Sequence, residues 1–316
     1  MLNFPHFKIP IQEIQYKQCT VSIKREDLIH PDISGNKYWK LFYNVNQYLS
    51  DLPKSQEAFI ITFGGAFSNH IASVAAFGKL YSIPTLGIIR GDELKNEISN
   101  NPTLNQAERN GMSFRFVNRE DYRDKDRLST ALQLEFPNAL IIPEGGTNEL
   151  AVQGIQHMLT EETKDFNYLC TAVGTGGSIS GISKYASDSQ KVLGFLSVKD
   201  LSLSKKILTL SKRNNFCLLD ASLGAYGKIS DDLVDFINHF NHRYHIPLDP
   251  IYTGKMMKKI FELIDDGYFS SDDKILAFHT GGLQGIKGAN LVLEKKKRQK
   301  IIFDTPIERF LENNLY

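Results

Sequence analysis

The sequence predicts an α/β fold built on mostly parallel sheets, and three observations carry that prediction. First, short apolar runs at 58–63, 85–89, 113–117, 139–142, 168–173, 192–197 and 274–279 alternate with helical patterns at 68–80, 102–110, 149–159 and 229–240. Strand–helix–strand repetition of this kind builds parallel sheets. Second, most of the runs are continuously apolar rather than alternating, as strands are when helices cover both faces of their sheet. Third, several runs end in glycine turns: Phe63-Gly64-Gly65, Pro143-Glu144-Gly145-Gly146-Thr147, Val173-Gly174-Thr175-Gly176-Gly177 and His279-Thr280-Gly281-Gly282. Ligands of open α/β sheets bind at the carboxyl ends of the strands. One glycine turn is a strand terminator; four at that edge point to backbone closing on a bound molecule from several sides.

The bulk numbers narrow the class. The 316 residues suit about two domains. Hydrophobic residues at 41% and charged residues at 23% are the balance of a globular chain with a sizeable core. A net charge of +1 gives no electrostatic reason to expect nucleic acid or a membrane surface as partner. The basic run Lys295-Lys296-Lys297-Arg298-Gln299-Lys300 follows the apolar Leu291-Val292-Leu293 and reads as a solvated helix end. Cys19, Cys170 and Cys217 form no Cys-x-x-Cys pair, and their odd count fits no disulfide framework. No stretch approaches the roughly 20 apolar residues of a membrane span, and residues 1–10 carry no secretory pattern. The expectation is a cytoplasmic protein in a reducing compartment. No metal-ligand spacing is present.

Along the chain, three segments carry chemistry. Ser34-Gly35-Asn36-Lys37 precedes an amphipathic helix marked by Trp39, Leu41, Phe42, Val45 and Tyr48. Lysine is ordinarily a surface residue. One desolvated among apolar groups has its pKa lowered toward the range where it attacks a carbonyl, and the glycine before it permits close backbone approach. Ser68-Asn69-His70 opens the helix after Gly64-Gly65. Ser68 taken alone is a helix cap, and His70 alone is a core histidine. Together with the amides of a helix start they suit an amino-acid carboxylate. Gly174-Thr175-Gly176-Gly177-Ser178 lies between the run 168–173 and a helix from Ile179. Unpaired amides and the helix dipole favour an anion there, and Thr175 and Ser178 add hydroxyls. The segment is not a nucleotide P-loop, since no Gly-Lys-Ser/Thr follows at the required spacing. A Schiff-base lysine and a phosphate cradle together suit pyridoxal phosphate, which carries an aldehyde at one edge and a phosphate at another.

These segments, in this order, resemble the 1-aminocyclopropane-1-carboxylate deaminase/D-cysteine desulfhydrase family of the tryptophan synthase β-like, fold type II pyridoxal phosphate enzymes. The matching stretches are Lys24-Arg25-Glu26-Asp27-Leu28, Gly35-Asn36-Lys37-x-x-Lys40-Leu41, Gly64-Gly65-x-x-Ser68-Asn69-His70, Val173-Gly174-Thr175-Gly176-Gly177, Ala225-Tyr226-Gly227, Leu248-Asp249-Pro250-x-Tyr252-Thr253-Gly254-Lys255 and His279-Thr280-Gly281-Gly282. The resemblance implies two domains with open twisted sheets: a larger one from 1–45 and 152–316, and a smaller inserted one from 46–151, with the cofactor in the cleft between them. It implies that Lys37 makes the imine and that Asn69 bonds the ring hydroxyl. The loop 174–178 would hold the phosphate, with Lys40 a further candidate. Ser68, Asn69 and the His70 amide would take the substrate carboxylate, and Tyr226 and Tyr252 would line the substrate side. A homodimer acting on a small amino acid is implied as well.

Deaminases of the family carry glutamate where Thr253 stands and leucine where Thr280 stands, whereas D-cysteine desulfhydrases carry small hydroxyl residues at both. The chain therefore resembles the desulfhydrase side. A neutral hydroxyl beside the pyridine nitrogen deepens the electron sink less than a carboxylate does, which suits loss of a good leaving group better than opening of a cyclopropane. The family's usual arginine is replaced by Trp39, and Lys228-Ile229 stands where a proline often follows. The alternatives are a deaminase or dehydratase on the same scaffold and, outside catalysis, an amino-acid or anion sensor.

Overall fold

A computed structural model describes residues 2–33, 35–200, 202–224 and 227–302. Tyr226 and Ser34 lie outside them. The elements are β1 Ile11–Tyr16, β2 Cys19–Lys24, α1 Asn36–Asp51, β3 Ile60–Gly65, α2 Asn69–Tyr81, β4 Thr85–Arg90, α3 Pro102–Arg109, β5 Met112–Val117, α4 Lys125–Glu135 and β6 Leu140–Ile142. They continue with α5 Glu149–Gly154, β7 Tyr168–Val173, α6 Gly177–Tyr185, β8 Lys191–Leu196, α7 Leu203–Ser211, β9 Phe216–Asp220, α8 Asp231–Tyr244, α9 Thr253–Asp265, β10 Ile275–Phe278 and α10 Gly285–Lys295.

Two sheets result. A six-stranded sheet runs β1-β2-β10-β7-β8-β9 and a four-stranded sheet runs β5-β4-β3-β6. Every pairing is parallel except the β1–β2 hairpin, turned at Lys17 in the left-handed region (φ 49°). The central strands are the continuously apolar ones. In β7, Leu169, Cys170, Ala172 and Val173 are all buried, as are Ile60, Ile61 and Phe63 in β3. All seven predicted runs are strands.

The strands that sequence reading did not single out explain themselves. In β1 (IQEIQY) and β2 (CTVSIK), polar and apolar residues interleave, and β1 is an edge strand with one buried residue, Ile14. β9 is the opposite edge and only half-buried. The pattern predicted over 149–159 divides: α5 ends at Gly154, a weak helix former, and tightens into a 3₁₀ turn over Ile155–Met158. The helix predicted from Ile179 begins two residues earlier, at Gly177. The basic run is the solvated end of α10, where Arg298 pairs with Asp231 and Lys300 with Glu294.

The parallel strands bring their carboxyl ends to one side of each sheet, so the turns after β3, β6, β7 and β10 face a common space. None of the helices among the described residues is long and apolar enough to cross a membrane.

Candidate active site

Lys37, Lys40, Ser68, Asn69, His70, Tyr252, Thr280 and the whole 174–178 loop line one cavity of about 720 Å³. The segments that the sequence separated are thus brought together, with the two exceptions of Thr253 and Tyr226. Tyr226 lies outside the described residues.

Lys37 is placed by the loop before α1. Gly35 has φ 65°, and a Cβ there would fall 1.8 Å from the Thr280 carbonyl oxygen, so no other residue fits. The Gly35 amide donates to the Glu26 carbonyl at 2.8 Å. The Glu26 side chain, fully buried and pushed up to about 7 by that burial, accepts from Trp39 Nε1 at 3.3 Å and lies 3.6 Å from Lys24 Nζ. Trp39, in the family's arginine position, thus gives Glu26 a neutral donor. Beside it Arg25 makes a bidentate pair with Asp27, and Asp27 reaches His279, the residue before Thr280. A buried polar frame therefore fixes the start of α1, which carries Lys37, against the Thr280 turn.

Lys37 Nζ donates to the Gly145 carbonyl at 3.2 Å. Burial lowers its pKa to about 8. Lys40, one turn on, is held well below the ordinary lysine value by burial first and then by the charges of Lys37 and Lys206. No carboxylate among the described residues pairs with either ammonium. The α6 N-terminus points at the same spot: a Cβ on Gly177 would sit 2.8 Å from Lys40 Nζ and 2.6 Å from Thr147 Oγ1. Thr147 and Thr175 share a hydrogen bond of 2.6 Å, and Asn36 Nδ2 donates to Ser178 Oγ. The Lys40 amine, the amides of the α6 start and a ring of hydroxyls form a cradle for a phosphate beside the Lys37 amine, which is placed for an aldehyde. Pyridoxal phosphate fits that donor set. Thr147 and Asn36 were not among the predicted residues. Both stand inside the quoted motifs, but only the fold shows their hydroxyl and amide turning onto the loop.

Ser68 is the N-cap of α2, its Oγ accepting from the amides of His70 (3.2 Å) and Ile71 (3.3 Å). The reading of Ser68 as a cap is met, and because a hydroxyl that accepts two amides keeps its proton, Ser68 also has a donor left on the cavity wall. The His70 amide expected at the substrate carboxylate is instead spent on Ser68. The His70 ring lies 2.8 Å from Thr62 Oγ1, which itself donates to the Ile142 carbonyl at 2.9 Å. Nε2 therefore carries the ring proton. Burial, then Lys37 and Lys40, hold the imidazole well below the usual histidine range, so it is neutral. Asn69 is wedged against the turn after β10, with its amide 2.8 Å from where a Gly282 Cβ would be.

Thr253 corrects an expectation. It is fully buried and absent from the cavity wall. Its hydroxyl donates to Asp249 Oδ2 at 2.7 Å and accepts from the Asp249 amide at 3.0 Å, so its one proton is spent inside the turn. Asp249, not singled out from the sequence, lines the cavity in its place, while Thr280 stands on the wall as expected.

Comparison with known proteins bears on the same residues. A putative 1-aminocyclopropane-1-carboxylate deaminase of Pyrococcus horikoshii is 28% identical over 289 residues, covering 84% of this chain and 85% of the relative. A mitochondrial bifunctional D-cysteine desulfhydrase/1-aminocyclopropane-1-carboxylate deaminase of Arabidopsis thaliana is 24% identical, covering 84% of this chain and 72% of that one. The crystal structure of an ACC deaminase homologue superposes with a TM-score of 0.77 at 26% identity, covering 91% of this chain and 94% of the other. The fold is shared more widely: O-acetylserine dependent cystathionine β-synthase from Helicobacter pylori matches with a TM-score of 0.65 at 9% identity, covering 87% and 92% of the two chains. The family resemblance is thus met again in relatives that match 84% of this chain, and the sensor alternative falls. With residues 4–281 matched by the model for pyridoxal-phosphate dependent enzymes, the chain belongs to that family and its cofactor is pyridoxal phosphate.

Proposed function

We propose that this enzyme is a lyase of D-cysteine desulfhydrase type, converting a small amino acid, D-cysteine foremost, with water into pyruvate, ammonia and hydrogen sulfide. The observation that carries the reading is the Lys37 amine, lowered to about 8 by burial and free of any carboxylate partner, facing an anion cradle across one cavity. Bound pyridoxal phosphate supplies electron withdrawal at the α-carbon of the attached amino acid. Lys37, with Lys40, the α6 amides, Thr147 and Thr175, would hold it, and Asn69 and the uncharged Thr280 would be offered to its ring.

The chain's own groups do the rest. Ser68 donates its remaining proton to the substrate carboxylate, and the positive end of α2 favours that charge. Lys37 Nζ, neutral in roughly one molecule in ten at pH 7, takes the α-proton. Tyr252 Oη, on the cavity wall beside Gly174, delivers a proton to the departing sulfur, and Tyr226 accompanies it in the family pattern. We further assign residues 1–45 with 152–316 to a larger domain and 46–151 to a smaller one. This is supported by all four strands of the small sheet falling within 60–142. A cytoplasmic homodimer completes the reading.

Ring-opening deamination of 1-aminocyclopropane-1-carboxylate is the second reading, favoured by the names of the relatives at 26–28% identity. A panel of D-cysteine, L-cysteine, L-serine, L-threonine and 1-aminocyclopropane-1-carboxylate, assayed for sulfide and for keto acid, separates the two. Lys37→Ala is expected to lose both the visible cofactor absorbance and turnover. A Lys37→Ala protein that consumed D-cysteine at the wild-type rate would sink the assignment.

A further inference from the structure

Asp249 sits in the turn between α8 and α9 with its carboxylate on the cavity wall. Each of its oxygens accepts two hydrogen bonds. Oδ1 takes the amides of Ile251 and Tyr252, both at 2.9 Å, and Oδ2 takes the Thr253 amide at 2.9 Å and the Thr253 hydroxyl at 2.7 Å. The Gly254 amide donates to the Asp249 main-chain carbonyl at 2.8 Å. One side chain thus organises the first turn of α9, and a carboxylate there also answers the positive end of the helix. Tyr252 is the aromatic residue that this turn, with Pro250 and Ile251, presents to the cavity. Its ring lies on the bare backbone of Gly174, Cε1 3.0 Å and Oη 3.3 Å from where a Gly174 Cβ would be. Gly174 begins the phosphate loop, so the position of the phenol relative to the cofactor follows from the Asp249 turn.

We propose that Asp249 is a positioning residue that acts through Tyr252: by gathering the 251–253 amides and the Thr253 hydroxyl it sets the phenol against Gly174. Thr253 belongs to that brace. The inference rests on the elimination reading for its catalytic readout but not for its structural one.

The experiment uses the pyridoxal-phosphate-loaded enzyme with Asp249→Asn, Thr253→Val, Thr253→Ser and Tyr252→Phe, alone and combined. Asp249→Asn is expected to lower kcat for D-cysteine by at least about twentyfold, with KM and cofactor affinity within about threefold. Thr253→Val is expected to lower kcat by about fivefold, and Thr253→Ser, which restores the hydroxyl, to recover most of that loss. On the Tyr252→Phe background, Asp249→Asn and Thr253→Val should each cost less than about twofold, because their effect runs through the phenol already removed. Losses that multiply in full on that background overturn the proposal, as does an Asp249→Asn enzyme with wild-type kcat. If Asp249→Asn does not fold, the Thr253→Val cycle, which removes one hydroxyl, decides. A crystal structure of the loaded Thr253→Val enzyme gives the readout independent of activity: the Tyr252 ring is expected off Gly174, and an unmoved ring overturns the proposal. A wild-type enzyme that turns over no amino acid in the panel would defeat the functional reading, and the Tyr252 position would then test this one alone.

Discussion

The Lys37 amine makes a quantitative prediction. Burial lowers its pKa from the ordinary 10.5 to about 8, because the charged form loses its water and gains no carboxylate. At pH 7 roughly one amine in ten is then neutral, against about one in three thousand for an ordinary lysine, a ~300-fold gain in nucleophile. The direct measurement mixes apoprotein with pyridoxal phosphate and follows the visible absorbance of the captured cofactor as a function of pH. The capture rate should rise nearly tenfold per pH unit below about 7.5 and bend to a plateau above about 8. Stability carries the same signature with a definite sign. The folded apoprotein holds fewer protons on this group than the unfolded chain between about 8 and 10.5, so apoprotein stability contributed by Lys37 rises with pH through that window. A capture rate that climbs without a bend to about pH 10, where an ordinary lysine titrates, refutes the reasoning.

Gly35→Ala should destabilise the fold by more than about 2 kcal/mol, since its Cβ would overlap the Thr280 carbonyl at a positive φ; an unchanged melting temperature contradicts this. Ser68→Ala should cost about 1 kcal/mol through the lost α2 cap and, separately, raise KM more than it lowers kcat; denaturant unfolding and steady-state kinetics read the two effects apart. Lys40→Met should weaken pyridoxal phosphate binding by at least about tenfold, because the cradle loses its lysine; equilibrium titration that finds wild-type affinity places the phosphate elsewhere.

Much of the site was legible because its parts are local. Glycine turns after apolar strands, and a lysine or serine at a helix start, keep their meaning within a few residues, so Lys37, Ser68 and the 174–178 loop could be placed before any fold was known. What was not legible depends on contacts across the chain. Thr253 reads as a free hydroxyl until the turn at Asp249 folds back on it, and Asp249 itself is one acidic residue among many. The His70 amide reads as an open donor until Ser68 takes it. Thr147 needs the turn after β6 to meet the one after β7. The same distinction governs the strands: β3 and β7 announce themselves because both faces are buried, whereas β1 and β9 lie at sheet edges, where half the side chains answer to solvent rather than to the core.

The packing of Gly35 against Thr280 has a consequence for biosynthesis. The loop carrying Lys37 is emitted by the ribosome early, yet its seat is built from the last strand of the large sheet: β10 pairs with β2 between Val21 and Lys24, and the turn beyond β10 supplies the wall behind Gly35. The burial that lowers the Lys37 amine therefore depends on a turn about 240 residues further along the chain, and the Gly35 seat is incomplete in any fragment that stops short of residue 280.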